Sequence, residues 1–377
     1  MATMLDYLYW RGDIGFETDP FNEVDGLVLA RLAYLPFDRI SLKEKETIGA
    51  AVRKMKKLKA GVFSQEEDVR FLALLEDADR FNRLVLTDFV REHDEEAVKQ
   101  FSAITIHLGG GVMYISFCGT DASLVGWKED FYMSFMQDIP AQLEALEYVK
   151  TVAAEFPNKT FRLGGHSKGG NLAVYAAVNL PEDLRERLIR VCNFDGPGFP
   201  PDFIARHDFG AVLDRLNTYI PQESMFGRIH EHVEGYTVVE SGETGVQQHN
   251  LFSWNVRPKN MKKLKETDST SEIAYEAIQN ILRNTTPAER KKYVDSMFDL
   301  LDIGTVSTIS DLKTQFFGHF PELIRKVTDS SMEDHLENTE VTGKMVKSAL
   351  EAVADAEKKK VNNLLDNMAE KLESGRL

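Results

Sequence analysis

The chain holds a serine flanked two residues away on each side by glycine, Gly165-His166-Ser167-Lys168-Gly169. That pattern belongs to a nucleophile carried on a tight strand-to-helix turn. A serine hydroxyl is a weak nucleophile by itself. It needs a base to take its proton, an acid to orient the base, and N–H donors for the developing oxyanion. For the base the sequence offers His249, which follows the last strand-like run and is anchored by Leu251-Phe252. His166 lies inside the turn and reads as a packing or orienting residue. His230 and His232 are two residues apart, a spacing that does not put two metal ligands on one helical face, and they read as surface histidines in a helix. Two residues compete for the acid. Asp195 precedes Gly196-Pro197 in an apolar setting, where a carboxylate needs a partner. Glu223 sits in a polar turn after the next strand. Asp195 ranks first, and both stay open. The oxyanion donors would be the backbone N–H of Lys168 and that of Thr120, whose hydroxyl either adds a third donor or caps its turn.

The elements that must position these residues are legible around them. Thr160 to Leu163 is β-favouring, and Asn171 to Ala177 is rich in small helix formers, so the serine turn has a strand before it and a helix after it. Gly165 and Gly169 come close across such a turn, where only small residues fit. Residues 103–107 and 112–117 read as a hairpin around Leu108-Gly109-Gly110-Gly111; no helix follows those glycines, so they are not a phosphate loop. Pro140 opens an amphipathic helix to about Phe156. Further strands are expected over 187–194, 215–220 and 236–240. Strands alternating with helices at this spacing indicate an α/β protein with a mostly parallel sheet and flanking helices.

Residues 1–97 read as mostly helical and cover one side of that sheet. Residues 24–35 form one helix, stopped by Pro36; 42–58 form a lysine-rich one; and a capping box at Ser64 and Glu67 opens a third over 69–75. From about residue 258 the chain is helical again. Thr286, Pro287 and Glu289 mark a helix start. Residues 345–372 form a long amphipathic segment, read as a lid, a membrane-surface helix, a seam for a homo-oligomer, or a helix packed on its own domain. This gives an α/β domain over 1–260, which includes the N-terminal helical part, and a C-terminal helical extension over 261–377.

The 377 residues are 43% hydrophobic, enough for a sizeable core, and carry a net charge of −15. An acidic chain with no basic stripe is a poor partner for nucleic acid. Cys118 and Cys192 fall in expected buried strands and read as reduced core thiols of a cytoplasmic protein. Residues 1–16 lack a basic leader, and no run reaches the ~18–20 apolar residues of a membrane span. No metal or cofactor is implied.

Phe117-Cys118-Gly119-Thr120, with Trp127 and Asp130 after it and Gly165-His166-Ser167-Lys168-Gly169-Gly170 further on, resembles the pattern of class-3 (fungal-type) lipases. The chain more closely resembles a bacterial family of α/β-hydrolase-like proteins of largely unknown function. Its landmarks are that serine motif, Asn193-Phe194-Asp195-Gly196-Pro197-Gly198-Phe199 and Gln248-His249. The likeness covers about residues 1–260. It implies an α/β-hydrolase fold, Ser167 as nucleophile, His249 as base and Thr120 at the oxyanion hole. Cys118 stands where the lipases carry Arg, and Lys168 where they carry Leu, so the pocket is expected to differ from an ordinary lipase's. The lipase acid follows the later strand, where only Glu223 stands; pancreatic-type lipases use an Asp-Pro acid after the earlier strand, which Asp195-Gly196-Pro197 resembles. The expectation is a serine hydrolase of carboxylic esters of lipid or small-molecule type. Its rivals are an acyltransferase or thioesterase with the same triad, and a degenerate fold kept for binding.

Overall fold

Along the middle strands, side chains of alternate residues enter two different buried clusters, and this decides the layering. In β4 (Val112–Phe117), Met113, Ile115 and Phe117 pack into one cluster and Tyr114 into the other. In β6 (Leu188–Phe194), Val191 joins the first and Cys192 and Phe194 the second. A strand's period of two thus loads both faces of the sheet with apolar groups. We analysed a computed structural model, which describes residues 1–121, 123–268, 275–276, 279–280 and 282–302.

The sheet of the described residues has eight strands in sequential order. They are β1 (Glu46–Thr47), β2 (Val85–Asp94), β3 (Lys99–Gly109), β4, β5 (Thr160–His166), β6, β7 (Leu216–Pro221) and β8 (Thr237–Val239). β1 to β4 pair antiparallel, and β4 to β8 pair parallel. Parallel strands laid down one after another, with crossovers of one hand, send their connecting helices to one face. α7 (Pro140–Glu155) and α8 (Lys168–Asn179) accordingly share a buried cluster with Phe161, Leu163 and Val191. The other face then needs a cover from elsewhere in the chain. It comes from the N-terminal helices α1 (Met4–Arg11), α2 (Glu23–Leu32), α3 (Ile48–Met55), α4 (Asp68–Asp77) and α5 (Asp79–Asn82), whose apolar residues pack with Ile104, Ile106, Tyr114 and Phe194. The fold is an α/β one, a mostly parallel sheet covered by helices on both faces.

A buried ion pair ties this cover together. Arg80 and Asp25 are both fully buried, joined by two hydrogen bonds of 2.7 and 2.6 Å. Arg80 also donates to the carbonyls of Ile14 and Asp19, and Tyr7 donates to Asp25. Each charge is therefore matched, which is the condition for keeping such a pair in the interior.

Several local readings change. The end of the region read as helical, Val85–Asp94, is a long strand antiparallel to β3. A bulge at Asp88, with φ of 55°, breaks its alternation, and its charged end hides the rest of the strand signal. The lysine-rich helix covers only Ile48–Met55, capped by Thr47. Ser64 does not cap the next helix; it accepts from Arg31 instead. The hairpin and the Pro140 helix fall as expected, and Gly109, Gly110 and Gly111 all have positive φ. A second unit begins at Asp268. There the helix Pro287–Asp302 starts with the expected reciprocal bonds between Thr286 and Glu289. The amphipathic segment 345–372 lies outside the described residues. No helix of the described residues is long and apolar enough to cross a membrane.

Candidate active site

β5 runs to His166 and α8 begins at Lys168, so the whole reversal falls on Ser167. Its φ of 57° and ψ of −133° lie where non-glycine residues are strained. Two glycines make the turn sterically feasible. A Cβ on Gly165 would lie 2.4 Å from the Gly169 backbone, and one on Gly169 would lie 2.3 Å from the Phe117 carbonyl oxygen. The Ser167 N–H donates to Phe194 O at 2.9 Å, fixing the turn to the end of β6. Ser167 is half-buried, so solvent reaches it.

The structure brings His249 and Asp195 together. Asp195 ends β6 with φ of 54°, and its Oδ2 accepts from His249 Nδ1 at 2.6 Å. Its Oδ1 accepts from the Ser224 hydroxyl at 2.5 Å and the Gly227 N–H at 3.2 Å. Burial pushes the Asp195 carboxyl up to about 8, opposed by those two hydrogen bonds and by the nearby His232. A carboxylate so buried gains most from an imidazolium beside it, the form a base takes after accepting a proton at Nε2. Glu223 is not against His249. Its carboxylate accepts from the Gly245 N–H at 2.6 Å, and its own N–H donates to Gln248 Oε1 at 2.9 Å. It fastens the loop that carries the histidine.

The His249 ring lies between His166 and Phe226, with centroids 4.3 and 4.2 Å away. His166 is the residue before Ser167, so the histidine stands beside the serine turn. His166 Nε2 donates to the His249 carbonyl at 2.8 Å, which leaves its Nδ1 to accept from the Tyr34 hydroxyl at 2.8 Å. The expected orienting role of His166 therefore has a route: α2's end, the serine turn and the His249 loop are linked through one imidazole. Trp254, fully buried, donates to the Gln248 carbonyl and holds the loop from behind. Tyr34, Ser224 and Trp254 were not singled out by sequence reasoning. Tyr34 lies 132 residues from its partner, and no local pattern reports such a contact. His230 and His232 are neither helical nor on the surface. His230 is buried, the His232 side chain is 5% exposed, and His232 bonds the Gly227 carbonyl at 2.7 Å.

On the other side of Ser167 runs the turn after β4. A Cβ on Gly119 would lie 3.1 Å from Ser167 Cβ, so Gly119-Thr120 passes directly against the serine. The Thr120 hydroxyl donates to both carboxylate oxygens of Asp130, at 2.7 and 2.6 Å, which engages its only proton. Asp130 lies on α6 (Leu124–Tyr132). Burial raises its carboxyl to about 6, against the pull of Lys168 and Thr120. Lys168 opens α8, so its N–H has no partner within the helix. Its side chain, charged where the lipase pattern carries Leu, is buried. It is 2% exposed and turned inward onto Glu129 and Gln100. Cys118 and Cys192 are buried free thiols, each pushed up to about 12 by burial.

The sequence model of the Mbeg1-like family matches residues 75–299, more than half of the chain. The chain belongs to the Mbeg1-like family. The matched span takes in every residue named above for the serine turn, the histidine, the acid and the donors. No curated protein matches this Mbeg1-like chain. Among solved structures it is similar to a lipase of Rhizomucor miehei, at 14% identity over 55% of this chain and 68% of that one, with a TM-score of 0.33. Lipase II of Rhizopus niveus is 12% identical over 64% and 84%, with a TM-score of 0.34. The Lip2 lipase of Yarrowia lipolytica is 10% identical over 65% and 84%, with a TM-score of 0.35.

Proposed function

We propose that this protein is a serine hydrolase of carboxylic esters, working through Ser167, His249 and Asp195. The observation that carries the reading is the 2.6 Å bond from a buried Asp195 to His249 Nδ1, beside a serine held at φ of 57°. With Nδ1–H donating to Asp195, Nε2 carries no proton and can act as base. A fold kept only for binding has no use for so strained a serine.

In the proposed cycle, His249 Nε2 takes the Ser167 proton as Oγ attacks the ester carbonyl carbon. The carbonyl oxygen becomes an oxyanion held by the N–H groups of Lys168 and Thr120. The imidazolium, stabilised by Asp195, returns its proton to the departing alkoxide, and the alcohol leaves an acyl-serine. Water, deprotonated by His249, then attacks the acyl carbon, and Ser167 leaves with the proton restored. The substrate class is an acyl ester of lipid or small-molecule type, and the residues need no metal or cofactor for these steps. A fluorophosphonate probe tests the reading: wild type labels at Ser167 and hydrolyses p-nitrophenyl esters, while Ser167→Ala keeps its fold and does neither. A folded wild-type protein that fails to label, or a Ser167→Ala variant as active as wild type, rejects it.

A further inference from the structure

Directly beneath the proposed oxyanion hole, an ammonium group is buried with a full set of acceptors. Lys168 Nζ donates to Gln100 O at 3.0 Å, Gln100 Oε1 at 2.7 Å and Glu129 Oε2 at 2.7 Å. Three donors meet three acceptors, so nothing of the ammonium is left over. Glu129 is fully buried and accepts three hydrogen bonds: Oε2 also accepts from the Gln100 N–H at 3.1 Å, and Oε1 accepts from the Ala141 N–H at 2.9 Å. One carboxylate therefore joins β3, α6, the start of α7 and the first residue of α8. The residue next to Glu129 is Asp130, the acceptor of the Thr120 hydroxyl and 3.9 Å from Lys168 Nζ. Gln100 Nε2 reaches the Gly119 carbonyl at 3.5 Å, contacting the same turn from behind.

We propose that the Lys168 side chain is the positioning residue of the oxyanion hole, tying the donor on its own backbone to the donor on Thr120 through Glu129 and α6. This rests on the hydrolase reading above. The two N–H groups belong to different elements, the start of α8 and the turn after β4, and the pairing of β4 with β5 ends at Phe117 and Gly165. The chain Lys168–Glu129–Asp130–Thr120 adds a second tie beyond that point. Stability alone does not account for the ammonium, because a well-packed apolar side chain usually serves a buried site as well as an ion pair does. Three directed hydrogen bonds fix a position where apolar packing would allow it to slide. An oxyanion hole is effective only when its donors already sit where the charge will appear.

The test compares wild type with Lys168→Met/Glu129→Gln, which removes both charges at nearly constant volume, and with Glu129→Asp, which keeps the charges and shortens the tie by one methylene. Active sites are titrated with a fluorophosphonate. Then kcat and KM are measured on p-nitrophenyl butyrate, together with the inhibition constant of a phenylboronic acid, whose adduct with the serine mimics the tetrahedral state. The double variant is expected to lose about 30- to 100-fold in kcat per titrated site, with KM within about threefold. Its boronate affinity falls by a similar factor. Glu129→Asp is expected to lose about five- to tenfold in both readouts. Should the double variant not fold, Glu129→Asp decides. If kcat per site and boronate affinity stay within about twofold in Glu129→Asp while only the melting temperature falls, the side chain is structural and the proposal is overturned. A wild-type protein that does not label at Ser167 removes the hydrolase reading and this proposal with it; labelling with unchanged variants removes this proposal alone.

Discussion

Asp195→Asn is the substitution most sharply determined by the geometry. The aspartate's Oδ1 accepts from both Ser224 Oγ and Gly227 N, whereas Oδ2 accepts from His249 Nδ1 alone. An asparagine placed there has one acceptor oxygen and one amide. The oxygen will take the site with two donors, because putting the amide there sets it against the Gly227 N–H. The amide then faces His249 Nδ1 and must donate to it. That forces the imidazole into the tautomer whose Nε2 already carries a proton, which cannot accept one from Ser167. In a serine triad this fault costs about 10⁴ in kcat, or ~5.5 kcal/mol at the transition state. The shape of the site is preserved, so the melting temperature should change little and KM should stay within about threefold. The assay is steady-state hydrolysis of p-nitrophenyl butyrate by wild type, Asp195→Asn and Glu223→Gln, normalised to folded protein. Glu223→Gln keeps an oxygen for the Gly245 N–H and should lose less than about tenfold. Two outcomes refute the reasoning: Asp195→Asn within about tenfold of wild type, or Glu223→Gln as damaged as Asp195→Asn.

Other consequences are open to measurement. Ser167→Gly relieves a strained φ and should melt above Ser167→Ala, by about 1 kcal/mol in unfolding free energy, with labelling abolished in both. Gly169→Ala drives a methyl to within 2.3 Å of Phe117 O and 2.8 Å of Cys118 C, backbone atoms that cannot move aside, and should cost at least about 3 kcal/mol in denaturant unfolding. The Asp130 carboxyl titrates near 6 in the folded protein, against 3.8 as its ordinary value. Between those values the folded protein holds a proton that the unfolded chain has released, so this group's contribution to stability falls as pH rises from about 4 to 6. Activity should move the opposite way across the same window, because only the ionised carboxyl accepts twice from Thr120. Melting temperature and kcat/KM against pH, with Asp130→Asn as the control that loses the stability slope, check this.

Much of the scaffold was legible from local pattern. The serine turn could be read because its demands are met within five residues, by glycines whose Cβ atoms have no room. The mostly parallel sheet followed from strands and helices alternating along the chain. The need for an N-terminal helical cover follows from crossovers that load one face only. β2 escaped detection because a bulge at Asp88 put its alternation out of step.

The partners of the site depend on contacts between distant parts of the chain. Asp195 and His249 are 54 residues apart, Lys168 and Glu129 are 39 apart, and Tyr34 and His166 are 132 apart. Sequence alone gave Asp195 and Glu223 comparable places, each just beyond a strand. Which carboxylate meets the histidine is set by how β6 and β7 lie side by side and where the loop after β8 returns. The direction of the Lys168 side chain is decided the same way. In the sequence Lys168 is only a charge where the lipase pattern has Leu; the buried carboxylate of Glu129, on another helix, turns it inward. Local sterics and periodicity fix the turn and the layers, while electrostatic pairing across the fold selects among the side chains those layers bring within reach.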